Sequence, residues 1–139
     1  MNYNWVEDIV DMHRKFGVHE AVNKMDKEKL RKFLQFRLSC IKEELDETNK
    51  AFQTKNSEEM VDGLIDIIVF TLGTLEVFDV DCDQAWQTVM SANFAKEVGV
   101  KEERYNPNGL PDLIKRPDWE APDHTGNHGL FPKTFGKEK

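Results

Sequence analysis

The stretch from Glu43 to Asp66 limits what this chain can fold into more than any other. It sets seven carboxylates where two facing helices would present them: Glu43, Glu44, Glu47, Glu58, Glu59, Asp62 and Asp66. Residues three and four apart on a helix lie about 5–6 Å apart at Cβ, so Glu44 with Glu47, and Glu59 with Asp62 and Asp66, each form a patch. The helical pattern breaks near Thr54–Asn56, and Ser57 is placed to cap a new helix whose first turn holds Glu58 and Glu59. An antiparallel helical hairpin follows. Closing it pairs residues whose numbers sum to about 110, which sets Glu44 against Asp66 and Glu47 against Asp62. Two carboxylates about 5 Å apart at an effective dielectric near 20 repel by about 3 kcal/mol, and no lysine or arginine stands at the same level to relieve them. One acidic stripe reads as a solvated face, whereas a mirrored pair reads as a site for a divalent cation.

Asp66 sharpens that reading. It interrupts the run Gly63 to Phe70, which is apolar enough to be buried on nearly every side, and a buried carboxylate has to be paired or bound to metal. Oxygen donors with no His or Cys beside them favour Mg²⁺, with Mn²⁺ as a substitute, over zinc.

The elements on either side supply a helical framework. Trp5, Ile9, Met12, His13 and Phe16 recur at helical spacing up to Gly17, which predicts an amphipathic helix packed on the central pair. His13 and His19 read as structural or solvated side chains. A short helical turn is expected within 18–26, then a long helix from Asp26 to about Lys55, with Leu34, Leu38, Ile41, Leu45 and Phe52 as its core stripe. Arg37 borders that stripe, placed to orient a carboxylate or touch a phosphate. The next helix, Ser57 to Phe78, is apolar almost all round after Asp62 and is expected to be the most buried element. Its Gly63 and Gly73 point to close approach of another helix, since glycine in a helix costs about 1 kcal/mol against alanine. A fourth helix, capped by Asp81 or Asp83, has Ala85, Trp86, Val89, Met90, Asn93 and Phe94 as its inner face. Asn93 and Lys96 share one side near its end, an amide and a cation suited to phosphate or sugar.

After Val98 the composition changes, because all five prolines fall beyond that point. This predicts an extended arm over 99–139 that lies against the body or a neighbouring subunit. Its middle carries Lys115, Arg116 and Trp119, with the tryptophan as the pin, and His124 to Lys139 is expected to be mobile.

A net charge of −7 and a pI near 5.1 argue against a nucleic-acid or anionic-membrane surface, since such binders display a basic patch. A small phosphorylated substrate stays compatible if metal carries the positive charge. Cys40 and Cys82 stand far apart without a CxxC partner and read as reduced thiols. No apolar run reaches the roughly 20 residues of a membrane span, and no targeting segment is visible, so a cytoplasmic protein is expected.

Arg37, the EELDE at 43–47, the EMVDGLID at 59–66 and the SANFAK at 91–96 together resemble the all-α nucleoside triphosphate pyrophosphohydrolases of the MazG-like superfamily. That family's EExxE, short gap and ExxD fall here on Glu43, Glu44 and Glu47, then Glu59 and Asp62. The resemblance spans about residues 3–122 and implies that Glu44, Glu47, Glu59 and Asp62 hold Mg²⁺, while Asn93, Lys96 and the chain beyond them help bind the nucleotide. Phe94 and Ala95 depart from it, standing where methionine and serine are common. Eleven residues separate Glu47 from Glu59, at the short end of the family's gap.

The expectation is therefore an all-α antiparallel helical hairpin bundle of about four main helices, with a core over 1–98 completed by a homodimer or homotetramer, and a Pro/Gly-rich arm over 99–139. The resemblance implies Mg²⁺-dependent cleavage of a (deoxy)nucleoside triphosphate to the monophosphate and pyrophosphate, with Glu43 or Asp66 taking the proton of the attacking water. Arg37, Asn93, Lys96 and Lys115 are the expected substrate contacts. Phosphoribosyl-ATP pyrophosphohydrolase, a deoxyuridine triphosphate hydrolase, or a non-catalytic metal- or nucleotide-binding oligomer are the alternatives.

Overall fold

Each long helix starts where a polar side chain can take up a free backbone N–H. In the computed structural model, which describes residues 3–136, Asn4 accepts from the Glu7 N–H at 3.1 Å and starts α1, Trp5–Lys15. Asp26 accepts from Lys29 at 2.9 Å and starts α3, Lys27–Gln53. Asn56, not the expected Ser57, accepts from Glu59 at 3.1 Å and starts α4, Ser57–Val77. Gly17, at φ +65°, ends α1 and opens the short α2, Val18–Asn23. The chain continues through α5, Cys82–Phe94, strands β1, Glu97–Gly99, and β2, Asp112–Ile114, and a last helix α6, Phe131–Phe135. The protein is all-α, with one two-stranded sheet among the described residues.

The chain divides into two compact units, 1–82 with 128–139, and 83–127. In the first, α3 and α4 form the antiparallel hairpin, with Thr48 facing Gly63 and Arg37 facing Gly73. A Cβ on Gly63 would fall well inside 3.0 Å of Thr48 Oγ1 and 3.3 Å from Thr48 Cβ, so glycine here is what lets the two backbones approach. The apolar core lies at the other end of the hairpin, where Val22, Leu30, Val77 and Phe78 are buried together with Phe33, Leu34, Leu130 and Phe131 against them.

Three expectations are corrected in this unit. The stripe assigned to the core of α3 is largely uncovered, with Leu38, Leu45 and Phe52 exposed; the side facing α4 is instead Leu30, Phe33, Arg37, Glu44 and Thr48. Helix α4 is not the most buried element, because Val61, Leu64, Ile65 and Ile68 are exposed along it. The chain end is not a free tail: Phe131 stacks on Phe78 at 5.0 Å, Thr134 is fully buried, and the Leu130 N–H donates to the Phe78 carbonyl at 2.7 Å. Gly129, at φ +54°, permits that contact, since a Cβ there would run into the Phe78 carbonyl. Residues 137–139 of the expected tail lie outside the described residues.

The second unit starts with α5. Trp86, Val89 and Phe94, assigned to its inner face, are exposed, whereas Cys82 and Ala92 are the buried residues of the helix. Strands β1 and β2 pair antiparallel with Val98 opposite Leu113, a hairpin too short for a period-two pattern to announce. Trp119 pins the following segment by donating its indole N–H to the Ala92 carbonyl at 2.7 Å.

Candidate active site

The acidic residues of α3 and α4 meet because the Gly63–Thr48 approach holds the two helices close at their level. Glu44 and Asp66 are partly buried, whereas Glu43, Glu47, Glu59 and Asp62 are exposed; Asp66 is thus less enclosed than its apolar neighbours suggested. Desolvation holds the Glu44 carboxyl above the ordinary carboxylate range, and the charges of Asp66, Glu47, Glu43 and Asp62 push it further. Asp66 is raised by desolvation first, then by the charge of Asp62 and by a hydrogen bond between these two carboxyls. Both shifts mark a place where negative charge is crowded, and a cation bound in the cluster would relieve it. Its donors are oxygen alone, a set that suits Mg²⁺ or Mn²⁺.

The cluster has a centre and a fringe. Glu44, Glu47, Asp62 and Asp66 act on one another across the hairpin, with Glu43 contributing to the field at Glu44. Glu43 and Glu47 also border a shallow depression of about 430 Å³ along α3, with Ser39, Lys42, Asp46 and Lys50. Lys42 there is engaged by Asp46 at 2.7 Å. Glu59 stands in the first turn of α4 and is not among the charges acting on Glu44 or Asp66.

Of the four expected substrate contacts, Arg37 belongs to the first unit. Its guanidinium lies over the Phe33 ring at 5.2 Å and faces Gly73, about two helical turns from the carboxylates, and burial lowers its pKa. Asn93, Lys96 and Lys115 belong to the second unit. Lys96 and Lys115 both stand over Trp119, at 5.2 and 4.9 Å from the ring, so their two ammonium groups are gathered on one aromatic anchor. Asn93 is partly buried at the end of α5.

A second set of polar groups includes the two histidines read from the sequence as structural or solvated, and what local spacing does not show is their meeting with Glu76. His13 of α1 and His19 of α2 converge on one carboxylate, Glu76 of α4. His13 Nδ1 is hydrogen-bonded to Glu76 Oε2, and His19 Nε2 lies 2.7 Å from Oε1. Glu76 is far from both histidines in sequence, so no local spacing announces the group. The available signal was a lone carboxylate in the apolar half of α4, the argument that had singled out Asp66.

The family model described as phosphoribosyl-ATP pyrophosphohydrolase matches residues 10–93. The chain belongs to this family. It is therefore a pyrophosphohydrolase of the MazG-like superfamily, a hydrolase acting on phosphorus anhydrides. The match takes in the whole carboxylate cluster, Arg37, both histidines and Glu76, and stops at Asn93, short of Lys96, Lys115 and Trp119. No curated protein matches the chain significantly. Among the described residues, no helix is long and apolar enough to cross a membrane.

Proposed function

We propose that the protein is a Mg²⁺-dependent nucleoside triphosphate pyrophosphohydrolase that cleaves a (deoxy)nucleoside triphosphate to the monophosphate and pyrophosphate, in control of the nucleotide pool. The observation that carries this reading is the cluster of Glu44, Glu47, Asp62 and Asp66 across α3 and α4, with Glu44 and Asp66 held above the ordinary carboxylate range. Crowded carboxylates of this kind are stabilised by a divalent ion, which would also attract the substrate's phosphates. Glu44, Glu47 and Asp62 would hold the ion, with Glu59 reaching in from the first turn of α4. The ion supplies charge neutralisation at the phosphates and lowers the pKa of the attacking water.

Glu43 and Asp66 are the candidates for accepting the water's proton. Asp66 is the stronger of the two, because desolvation and the charge of Asp62 raise its carboxyl, which makes it a better base. Arg37 would act at a distance on the electrostatics of the hairpin. Asn93, Lys96 and Lys115 are the further residues proposed to contact substrate, the two lysines as cations and the asparagine as an amide. A homodimer or homotetramer would cover the apolar residues left exposed on α3 and α4. A second reading, hydrolysis of phosphoribosyl-ATP, is compatible with the description of the matching family.

The test is a pyrophosphate-release assay over ribo- and deoxyribonucleoside triphosphates and phosphoribosyl-ATP, with and without Mg²⁺. Release from a nucleoside triphosphate that is Mg²⁺-dependent and falls at least about a hundredfold in Asp62→Asn supports the proposal. Release from phosphoribosyl-ATP alone selects the second reading. No release from any of them makes the protein a non-catalytic binder.

A further inference from the structure

The C-terminal end of α4 gathers carboxylates that no lysine or arginine of its last turn meets. A helix ends with its carbonyls and the negative pole of its dipole, and the last turn of α4 holds no lysine or arginine. Glu76 nevertheless lies in that turn, and Asp79 follows directly at φ +61°, a left-handed position that glycine fills with less strain. The groups that meet these carboxylates are two imidazoles. His13 is buried at 2 % exposure and presents Nδ1 to Glu76; His19 presents Nε2 to the same carboxylate, at 2.7 and 2.8 Å from its two oxygens. One ligand atom from each of the three residues lies within 4.8 Å of the others.

We propose that His13 Nδ1, His19 Nε2 and a carboxylate oxygen of Glu76 form a second metal site, taking a borderline transition ion of the Zn²⁺ class, that clamps α1 and α2 to the C-terminal turn of α4. Imidazole nitrogens select this class of ion, as the oxygen-only cluster at the other end of the hairpin selects Mg²⁺. Zinc bound at about 2.0–2.1 Å to each ligand needs only small side-chain shifts to gather these three atoms. Water completes a four-coordinate shell. The surroundings fit a ligand set as well as its members do. With His19 bound through Nε2, its other nitrogen, Nδ1, carries the proton and faces Asp79 Oδ1 at 3.8 Å, a small side-chain adjustment short of the carboxylate–histidine hydrogen bond that orients metal-bound imidazoles. Binding His13 through Nδ1 leaves Nε2 as the protonated nitrogen. That atom is buried, faces Gly73, and has no hydrogen-bond partner among the described residues, so packing and the Nδ1 contact are what hold the ring there. The ion supplies the positive charge that the end of α4 lacks.

The experiment uses the full-length chain without an affinity tag, stripped of metal with a chelator and titrated with Co²⁺ as a spectroscopic probe and Zn²⁺ as competitor. The expected result is one equivalent of Co²⁺ with the intense visible bands of a four-coordinate nitrogen–oxygen site, displaced by Zn²⁺, and a rise in Tm on adding Zn²⁺. His19→Gln should remove the bands and the Tm rise. Asp79→Asn should weaken Zn²⁺ binding by about tenfold or more. Glu47→Gln with Asp62→Asn should leave all of them intact. Faint octahedral-type absorption alone in the unsubstituted protein overturns the proposal, and so does a signal that survives His19→Gln but disappears in the Glu47→Gln, Asp62→Asn protein. Should His19→Gln fold poorly, the spectrum of the unsubstituted protein still decides.

Discussion

Replacing Gly63 by alanine tests whether the spacing of the acidic hairpin is set where the structure sets it. Two effects oppose each other. Alanine stabilises a helix interior by about 1 kcal/mol relative to glycine. The new methyl, however, meets Thr48 Oγ1 well inside 3.0 Å and Thr48 Cβ at 3.3 Å, and overpacking of that kind costs about 1–3 kcal/mol. Thr48 has little room to yield: it is buried, stiff at χ1, and its hydroxyl donates to the Glu44 carbonyl at 2.7 Å. Gly63→Ala should therefore destabilise the metal-free protein by up to about 2 kcal/mol. In a Thr48→Ala background the obstructing oxygen is gone, and the same substitution should become neutral or stabilising, by up to the 1 kcal/mol or so of helix propensity. The double-mutant cycle, read by urea unfolding, should show a coupling of about 1–3 kcal/mol. Because Glu44 and Asp62 flank this contact, Gly63→Ala should also weaken Mg²⁺ binding. A Gly63→Ala effect that is the same in both backgrounds would refute the close-approach argument.

Asp66→Asn should raise the Tm of the metal-free protein and shrink the further rise that Mg²⁺ produces, since the amide can donate to Asp62 without bringing a charge. The pH dependence follows from the raised carboxyls of Glu44 and Asp66. Their contribution to stability is fully present below the ordinary carboxylate range and is lost as pH rises through their raised folded values, so Asp66→Asn should flatten that decline in metal-free melting curves, and an unchanged slope counts against the assignment. Truncation after Asn127 removes Phe131 and Thr134 from the core; because Phe131 is only partly buried, a loss of about 2–3 kcal/mol is expected, below the 3–5 kcal/mol of a fully buried Phe→Ala, and full stability of the shortened chain in thermal unfolding would show α6 to be dispensable. Light scattering should give at least twice the 16.2 kDa of one chain, with Leu45→Lys on the exposed stripe shifting the mass towards one chain; a native mass of a single chain would remove the oligomer.

What the sequence disclosed depended on whether a local rule applied. The hairpin and its facing carboxylates were legible because a short turn between two helices of constant rise fixes which residues meet: Thr48 with Gly63 and Arg37 with Gly73 keep the sum near 110. The buried side of α3 was not, because Arg37, Glu44 and Thr48 occupy it while Leu38, Leu45 and Phe52 lie outside. Hydrophobic periodicity finds the apolar stripe of a helix, and here the stripe is not the side that meets α4. Helix α6 escaped notice because five residues beginning at a phenylalanine and a proline are too few for a period, although Phe131 and Phe135, four apart, were a usable sign. The second unit's strands, three residues each, gave none. The convergence of His13, His19 and Glu76 needs three separate helices, and only the isolated acid on an apolar stretch could have pointed to it.

The polar character of the α3–α4 seam bears on how the active site is positioned. A seam of large apolar side chains can slide or repack at modest cost, because dispersion and burial are not directional. This seam is instead registered by small, specific contacts: the Gly63 backbone against Thr48, Gly73 against Arg37, and Phe78 stacked on Phe33 at the far end. Each admits one register, and together they fix the height of Glu44 and Glu47 against Asp62 and Asp66. The repulsion stored in those carboxylates pushes the helices apart at one end of the hairpin. The Phe33–Phe78 stack holds them together at the other, while the His13–Glu76–His19 contacts tie α1 and α2 to the last turn of α4, so loosening that end should be felt at Asp66 and Asp62 about three to four helical turns away.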